Sequence, residues 1–268
     1  MMLVNAAHGS IRKPNGVILY RGPSLLDGSP IVAIAVGLRT RSTNSKTGAM
    51  LQTYILRSDM DPLEAIRRRV DDAICGSCVH RGTPTTGRTC YVQIGQGPQG
   101  VYKAYKRGLY PMAQIDGESE SKSLGRIGDG RIVRLGTYGD PAAAPTSIWD
   151  HLTQYADGHT GYTHQWRTSP ALRKLCMASV DTNAEAIEAW AQGWRTFRVD
   201  TAATPSHDGF ESLCPASKEA GKKLTCAQCL ACGGADGRKG SIYIPAHGGF
   251  AVMANVRKFR NIPIQVQQ

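Results

Sequence analysis

Seven of the eight cysteines fall into two groups, Cys75, Cys78 and Cys90 in one and Cys214, Cys226, Cys229 and Cys232 in the other. Thiols gathered in this way are the donor set of a soft-metal site. In Cys226-Ala-Gln-Cys229-Leu-Ala-Cys232 three thiols recur at two-residue gaps. That spacing lets one loop surround a polynuclear iron-sulfur centre, with Cys214, next to Pro215, as the fourth ligand. Zinc is the alternative, because four thiolates also make a tetrahedral structural site, though more often from two separated Cys-x-x-Cys knuckles. The first group, Cys75-Gly-Ser-Cys78-Val-His80 followed by Cys90, offers three thiolates and an imidazole. It reads either as a three-cysteine cluster or as a Cys and His zinc site, and three ligands leave a coordination position open to substrate, cofactor or water. Sequence separation leaves open whether the two groups share one site. Cys176, in Leu175-Cys-Met-Ala178, reads as a small core hydrophobe.

The rest of the composition bounds what such sites serve. The 268 residues carry 32 Lys and Arg against 21 Asp and Glu, a formal charge of +11, and 41% are hydrophobic. This describes a folded basic chain and excludes a disordered polar one. No apolar run approaches the roughly 20 residues that span a bilayer, so no membrane partner is expected. Met1 to Pro14 has no apolar stretch long enough for a secretory signal, which points to a reducing cytoplasm and to metal-ligating or free thiols over disulfides. The positive excess suits nucleic acid or a nucleotide. Cations recur at Arg67 to Arg69, Lys222-Lys223, Arg238-Lys239 and Arg257 to Arg260. The segment with Lys103, Tyr105, Lys106 and Arg107 combines them with aromatic rings that can stack on bases. The plain alternative is a solvated basic face.

Short apolar or β-branched runs alternate with helical patterns, which predicts an α/β fold. Strands are expected at Pro30 to Gly37, Leu51 to Arg57, Cys90 to Ile94, Arg131 to Tyr138, Gly161 to Trp166, Cys176 to Asp181, Trp194 to Asp200 and Ser241 to Ala246. Helices are expected at Pro62 to Ala73, Val101 to Arg107, Ala144 to Tyr155, Ala171 to Leu175 and Asn183 to Gln192, the last with Asn183 as N-cap and Gly193 as stop. Asp116 to Gly130, rich in Gly, Ser and charge, reads as a mobile loop. This rhythm suits a complete or partial (β/α) barrel, with an open doubly wound sheet as the alternative. The organisation is an N-terminal β extension over 1–29, one barrel-like domain over 30–254 with a Cys-rich metal-binding insertion at 211–240, and a basic tail over 255–268. The oligomeric state is not legible.

Both architectures place chemistry at strand C-termini, and polar residues gather there: Asp140, His164, Asp181, Arg198 with Asp200, and His247. Asp140, His164, Asp181 and His247 are the catalytic candidates, as acids, bases or ligands. Turn formation explains Asp140 and helix capping explains Asp181 in the structural reading. Asn44-Ser-Lys-Thr-Gly48 lacks the Gly-rich lead of a phosphate loop and reads as a polar connection. No dinucleotide fingerprint or nucleophile elbow stands at a strand-to-helix junction.

Several strings resemble a family of uncharacterised phage and prophage proteins: Gly22-Pro-Ser-Leu-Leu-Asp27, Ile74-Cys-Gly-Ser-Cys78, Arg107-Gly-Leu-Tyr-Pro111, Gly139-Asp-Pro141, Thr160-Gly-Tyr-Thr-His-Gln-Trp166 and Cys226 to Cys232. That resemblance implies phage origin, hence a host cytoplasm, and no particular activity. The early cysteine group, Gly139-Asp-Pro141 and Ser179-Val-Asp181 are also similar in layout to radical S-adenosylmethionine enzymes. It implies a partial (β/α) barrel, an open-site four-iron (4Fe-4S) cluster and an auxiliary cluster. The gaps here are two and eleven residues, where that family's usual triad has three and two. Fold and charge are further similar to the base-exchanging transglycosylases. The expected function is a Cys-ligated metalloenzyme acting on nucleic acid or a nucleotide, with S-adenosylmethionine as a candidate cofactor. The alternative is a non-catalytic zinc-stapled nucleic-acid-binding protein.

Overall fold

The computed structural model describes residues 14–114, 116–200, 210–235, 239–246 and 252–256. His247, Arg238 and the basic residues beyond Val256 lie outside them. The chain folds as α/β around two five-stranded sheets. In the first, β1 (Gly16–Pro23), β2 (Pro30–Val36) and β3 (Leu51–Arg57) run antiparallel, and β4 (Ile132–Tyr138) and β5 (Gly158–Thr160) continue it in parallel. The second is wholly parallel, in the order β6 (Tyr162–Thr163), β7 (Met177–Val180), β8 (Thr196–Asp200), β10 (Ser241–Pro245), β9 (Glu211–Leu213).

The two sheets meet at one residue. Gly161 alone separates β5 from β6, donating its amide to the Cys232 carbonyl and accepting from Met177. A side chain there would press within 2.8 Å of the Cys176 sulfur, so only glycine fits the junction. Strands β3, β4 and β5 pair in parallel in the first sheet and β6, β7, β8 and β10 in the second, with β5 running into β6 through Gly161; among the described residues no pairing joins β9 back to β1, so no complete ring forms.

Continuous burial explains the central strands. Ile31 to Ala35 are fully buried, as are Val133, Leu135, Ala178 and Val180, which is how a strand covered on both faces reads in sequence. The core continues through Trp149, Leu152 and Trp166.

Four local expectations are corrected. The helix expected from Pro62 to Ala73 is two, α1 (Pro62–Arg68) and α2 (Asp72–Cys75), because Arg69 turns left-handed at φ 59° and ends the first. Cys90 to Ile94 is not a strand: the Cys90 amide bonds to the His80 carbonyl, inside its own loop. Residues expected as a loop include α4 (Glu120–Gly128), capped by Ser119 and anchored by buried Leu124 and Ile127. In α6 (Asn183–Ala191) Thr182, not Asn183, is the N-cap, accepting from the Glu185 amide. The remaining helices are α3 (Gly97–Lys106), α5 (Thr146–Thr153) and α7 (Cys226–Cys229), and Pro170–Lys174 forms a 3-10 turn. No helix among the described residues is long and apolar enough to cross a membrane.

Candidate metal and substrate cavity

The eleven-residue gap between Cys78 and Cys90 is closed by one buried carboxylate. Asp71, just before α2, accepts from Arg81 at 3.0 and 3.1 Å and from Arg88 at 3.1 Å. Both arms of the loop are thereby pinned beneath α2. The His80 carbonyl takes the amides of Thr89 and Cys90, which brings Cys90 back beside Cys75 and Cys78. Gln165, following β6, fastens the Cys75 to Cys78 turn from the other sheet: its amide donates to the Cys75 carbonyl at 3.2 Å and accepts from the Ser77 hydroxyl at 3.1 Å.

The second cysteine group is held as firmly. Thr225 and Gln228 form a reciprocal capping box that starts α7. The amides of Cys226 and Ala227 donate to the carbonyls of Lys46 and Thr47. That contact gives Asn44 to Gly48 its structural role, since Asn44 shapes the turn by accepting from the Lys46 and Thr47 amides. Arg195, buried below β8, donates to the carbonyls of Ala231, Gly234 and Gly240. Cys214 is tied to β10 through the Tyr243 carbonyl.

All seven clustered cysteines line one cavity of ≈ 690 Å³. Its walls also carry Tyr54, Tyr91, Tyr138, Tyr162, Phe197, Gln52, Arg134, His80 and His164. A second cavity, ≈ 760 Å³, lies behind the first cysteine loop against Gly76, Ser77 and Gln165 and carries none of the thiols. Cys176 is buried in the core, as a small hydrophobe should be.

Burial dominates the acidity of the thiols. It raises Cys75 well above an ordinary thiol, with the neighbouring Cys78 and Cys90 adding to the effect, and it raises Cys78 and Cys90 too. Cys232 is pushed up to about 12 by burial, with Cys214, Cys226 and Cys229 contributing in the same direction. Ionising Cys75 or Cys232 is thus opposed both by burial and by the neighbouring thiols, a penalty that a bound cation would relieve. Among the described residues no three thiol sulfurs lie all within 4.8 Å of one another. Two cavity hydroxyls, Tyr138 Oη and Thr160 Oγ1, are buried with no hydrogen-bond partner among those residues. Arg134 is buried beside the second group, with Nη2 donating to Tyr91 Oη at 3.2 Å and the guanidinium 5.9 Å from the Tyr162 ring.

The strand-end residues divide. Asp140 is buried and spent on structure: Oδ1 accepts from Ala142 N and Thr163 Oγ1, and Oδ2 from the backbone of His164 at 2.8 Å. It positions His164. Asp181 does not cap α6; its Oδ1 lies 2.8 Å from Nε2 of His80, and its Oδ2 3.8 Å from Nε2 of His164. Arg198 is paired with Glu211 at 2.7 Å, away from the cavity lining. His247 lies outside the described residues. Lys103, Lys106 and Arg107 are exposed at the far end of α3, and half-buried Tyr105 packs 5.4 Å from the Arg21 guanidinium.

Sequence reasoning offered His80 only as a zinc ligand beside the thiols, not as a partner of Asp181, and it missed the cavity tyrosines. The Cys-x-x-Cys-x-His string was the available signal for His80. Nothing local marks Tyr54, Tyr138 or Tyr162, which meet only through the sheets. No family, curated protein or solved structure matches the chain.

Proposed function

We propose that this protein is a metalloenzyme in which the first cysteine group holds a reactive iron-sulfur centre and the second a closed auxiliary one. Its substrate would be a nucleotide or nucleic acid lying in the cavity between them. The observation that carries this reading is that all seven clustered thiols face one cavity, three in one group and four in the other. The parallel runs β3, β4, β5 and β6, β7, β8, β10, joined end to end at Gly161, support an incomplete (β/α) barrel with its chemistry at the C-terminal strand ends.

The donor chemistry fits clusters. Around a single zinc ion, thiolates at about 2.3 Å from the metal sit about 3.8 Å apart. That no three of the described sulfurs lie all within 4.8 Å of one another suits a polynuclear centre, where each thiolate binds a different iron. A four-iron cluster bound by Cys75, Cys78 and Cys90 would supply one-electron chemistry at the iron left open, the position S-adenosylmethionine would take. The chain's own residues do the rest. Tyr54, Tyr91 and Tyr162 offer flat faces to a base, Arg134 offers charge to a phosphate or carboxylate, and Tyr138 and Thr160 offer unspent hydroxyls. Helix α3 starts at the cavity wall with Gly97 and Pro98 and reaches its exposed cations about 15 Å away, a path for a polynucleotide backbone.

The test is anaerobic purification with iron and sulfide analysis, visible absorption and S-adenosylmethionine cleavage. Iron and sulfide at both groups are expected. Cys75→Ala should abolish cleavage while the second centre persists, and Cys229→Ala should remove iron from the second centre only. A colourless zinc protein would overturn the reading and favour zinc-stapled nucleic-acid binding.

A further inference from the structure

His80, His164 and Asp181 place three ligand atoms all within 4.8 Å of one another, among the described residues the one such set of three or more. From this geometry we infer a mononuclear site for a divalent first-row transition ion on the wall of the same cavity, built from two imidazoles and one carboxylate. The inference stands apart from the cysteine-bound centres and does not depend on what those are.

Ligands about 2.0–2.2 Å from one ion sit about 2.9 Å apart when at right angles and about 3.4 Å apart when tetrahedral. The separations here, 2.8 Å from His80 Nε2 to Asp181 Oδ1 and 3.8 Å from His164 Nε2 to Asp181 Oδ2, bracket those values. The two imidazole rings stand edge to face at 74°, with centroids 5.5 Å apart, so both Nε2 atoms converge without the rings stacking.

Each ligand is held from behind. His80 Nδ1 lies 2.8 Å from Thr89 Oγ1; an ion that displaces the proton Nε2 shares with Asp181 selects the tautomer that donates to Thr89 and turns the Nε2 lone pair to the ion. His164 is fixed through its backbone by Asp140. The Asp181 amide donates to Glu185 Oε2 at 2.9 Å, anchoring the carboxylate at the end of β7. The side chains of His80, Asp181 and His164 are 14%, 8% and 21% exposed, so the site is sheltered yet reachable from the cavity that both histidines line.

Two nitrogens and a carboxylate suit Mn, Fe, Co or Zn and leave the remaining positions to exchangeable water or an oxygen donor. Cys78 Sγ, 3.8 Å from His164 Nε2, marks the border with the first cysteine group. The chemical class of ligand is therefore a hydroxyl, phosphate or carboxylate oxygen bound beside the thiol centre.

Manganese(II) is the probe, since it prefers nitrogen and oxygen donors and leaves thiolates alone. The whole protein is titrated with Mn²⁺ while electron paramagnetic resonance reads the free ion; elemental analysis of the same sample counts any resident ion beyond the iron matched by sulfide. One site per chain is expected, counted as bound Mn²⁺ plus any resident ion that Asp181→Asn loses, so that metal held by the thiols is not included. Asp181→Asn and His164→Ala should each abolish it with the circular dichroism spectrum unchanged. Thr89→Val should weaken it by roughly 10-fold or more, and Cys229→Ala should leave it intact. No site in the wild type, or a site undiminished in folded Asp181→Asn, overturns the inference. Sulfide and absorption in these samples score the cluster reading separately, so either can fail alone.

Discussion

Asp71 accepts from Arg88 at 3.1 Å across a seventeen-residue separation, and this contact determines where Cys90 lies. Asp71 is 3% exposed and also takes Arg81, so a single carboxylate pairs with two guanidinium groups under the cysteine loop. Removing one member of a buried ion pair strands the others, at a cost of about 3–5 kcal/mol. Asp71→Ala should lose stability on that scale in urea unfolding and release Cys90, which thiol-reactive reagents will detect as faster labelling of Cys90 than in the wild type, with buried Cys176 as the internal control. Equal labelling rates in variant and wild type would refute the role.

Gly76 makes the first cysteine turn possible. Its φ is 52°, and a Cβ there would stand 2.5 Å from the Gln165 amide carbon. Gly76→Ala should therefore both strain the backbone and push Gln165 off the turn, costing about 1–3 kcal/mol. The double variant Gly76→Ala, Gln165→Ala removes the clash but keeps the strain. It should recover part of the loss; a double variant no more stable than Gly76→Ala alone would show that Gln165 is not the obstacle.

The strands legible in the sequence were those buried on both faces, such as Ile31 to Ala35, because burial alone dictates a continuous apolar run. The two cysteine groups were legible because thiols clustered on one loop carry local spacing, and both groups do line one cavity. What escaped was long-range. His80 meets Asp181 over a separation of 101 residues, and Asp181 beside Thr182 and Asn183 looks like a helix cap until the sheet order is known. Helix α4 was hidden by glycine, serine and charge, although its apolar anchors Leu124 and Ile127 are spaced for one helical face. The short Cys90 to Ile94 run looked like a strand, yet its hydrogen bonds go to its own loop.

His159, in β5, makes stability depend on pH. Its Nε2 is buried without a partner among the described residues, and burial lowers the imidazole pKa, assisted by Lys239 and opposed by a hydrogen bond to the Leu175 backbone. The folded value thus lies below the unfolded value of about 6.5. Between the two, the unfolded chain holds more protons, so this group's contribution to stability rises with pH through that window and is level above it. Urea midpoints of wild type and His159→Gln, followed from about pH 7.5 down to about pH 5, should diverge below the unfolded pKa, with the wild type falling more steeply. Parallel curves would show that His159 is not the linked group.

Arg195 is the matching test for the second cysteine group. It is 7% exposed, and its guanidinium reaches Ala231 at 2.7 Å, Gly234 at 2.7 Å and Gly240 at 2.6 Å, all through backbone carbonyls. These three acceptors lie on the segment that carries Cys232 and leads into β10, so one side chain fixes the loop's return to the sheet. Arg195→Met keeps the aliphatic stem but withdraws the charged donors, which for bonds of this type costs about 2–3 kcal/mol. The loss should be local first. Hydrogen exchange should quicken at Cys232 and at the Gly161 amide bonded to its carbonyl, while the amides of β2 keep their protection. Metal content should fall at the second cysteine group and hold at the first. Uniform loss of protection through β2 as well would mean that the two sheets unfold as one unit, and that the Cys-rich loop is not a separable element of the fold.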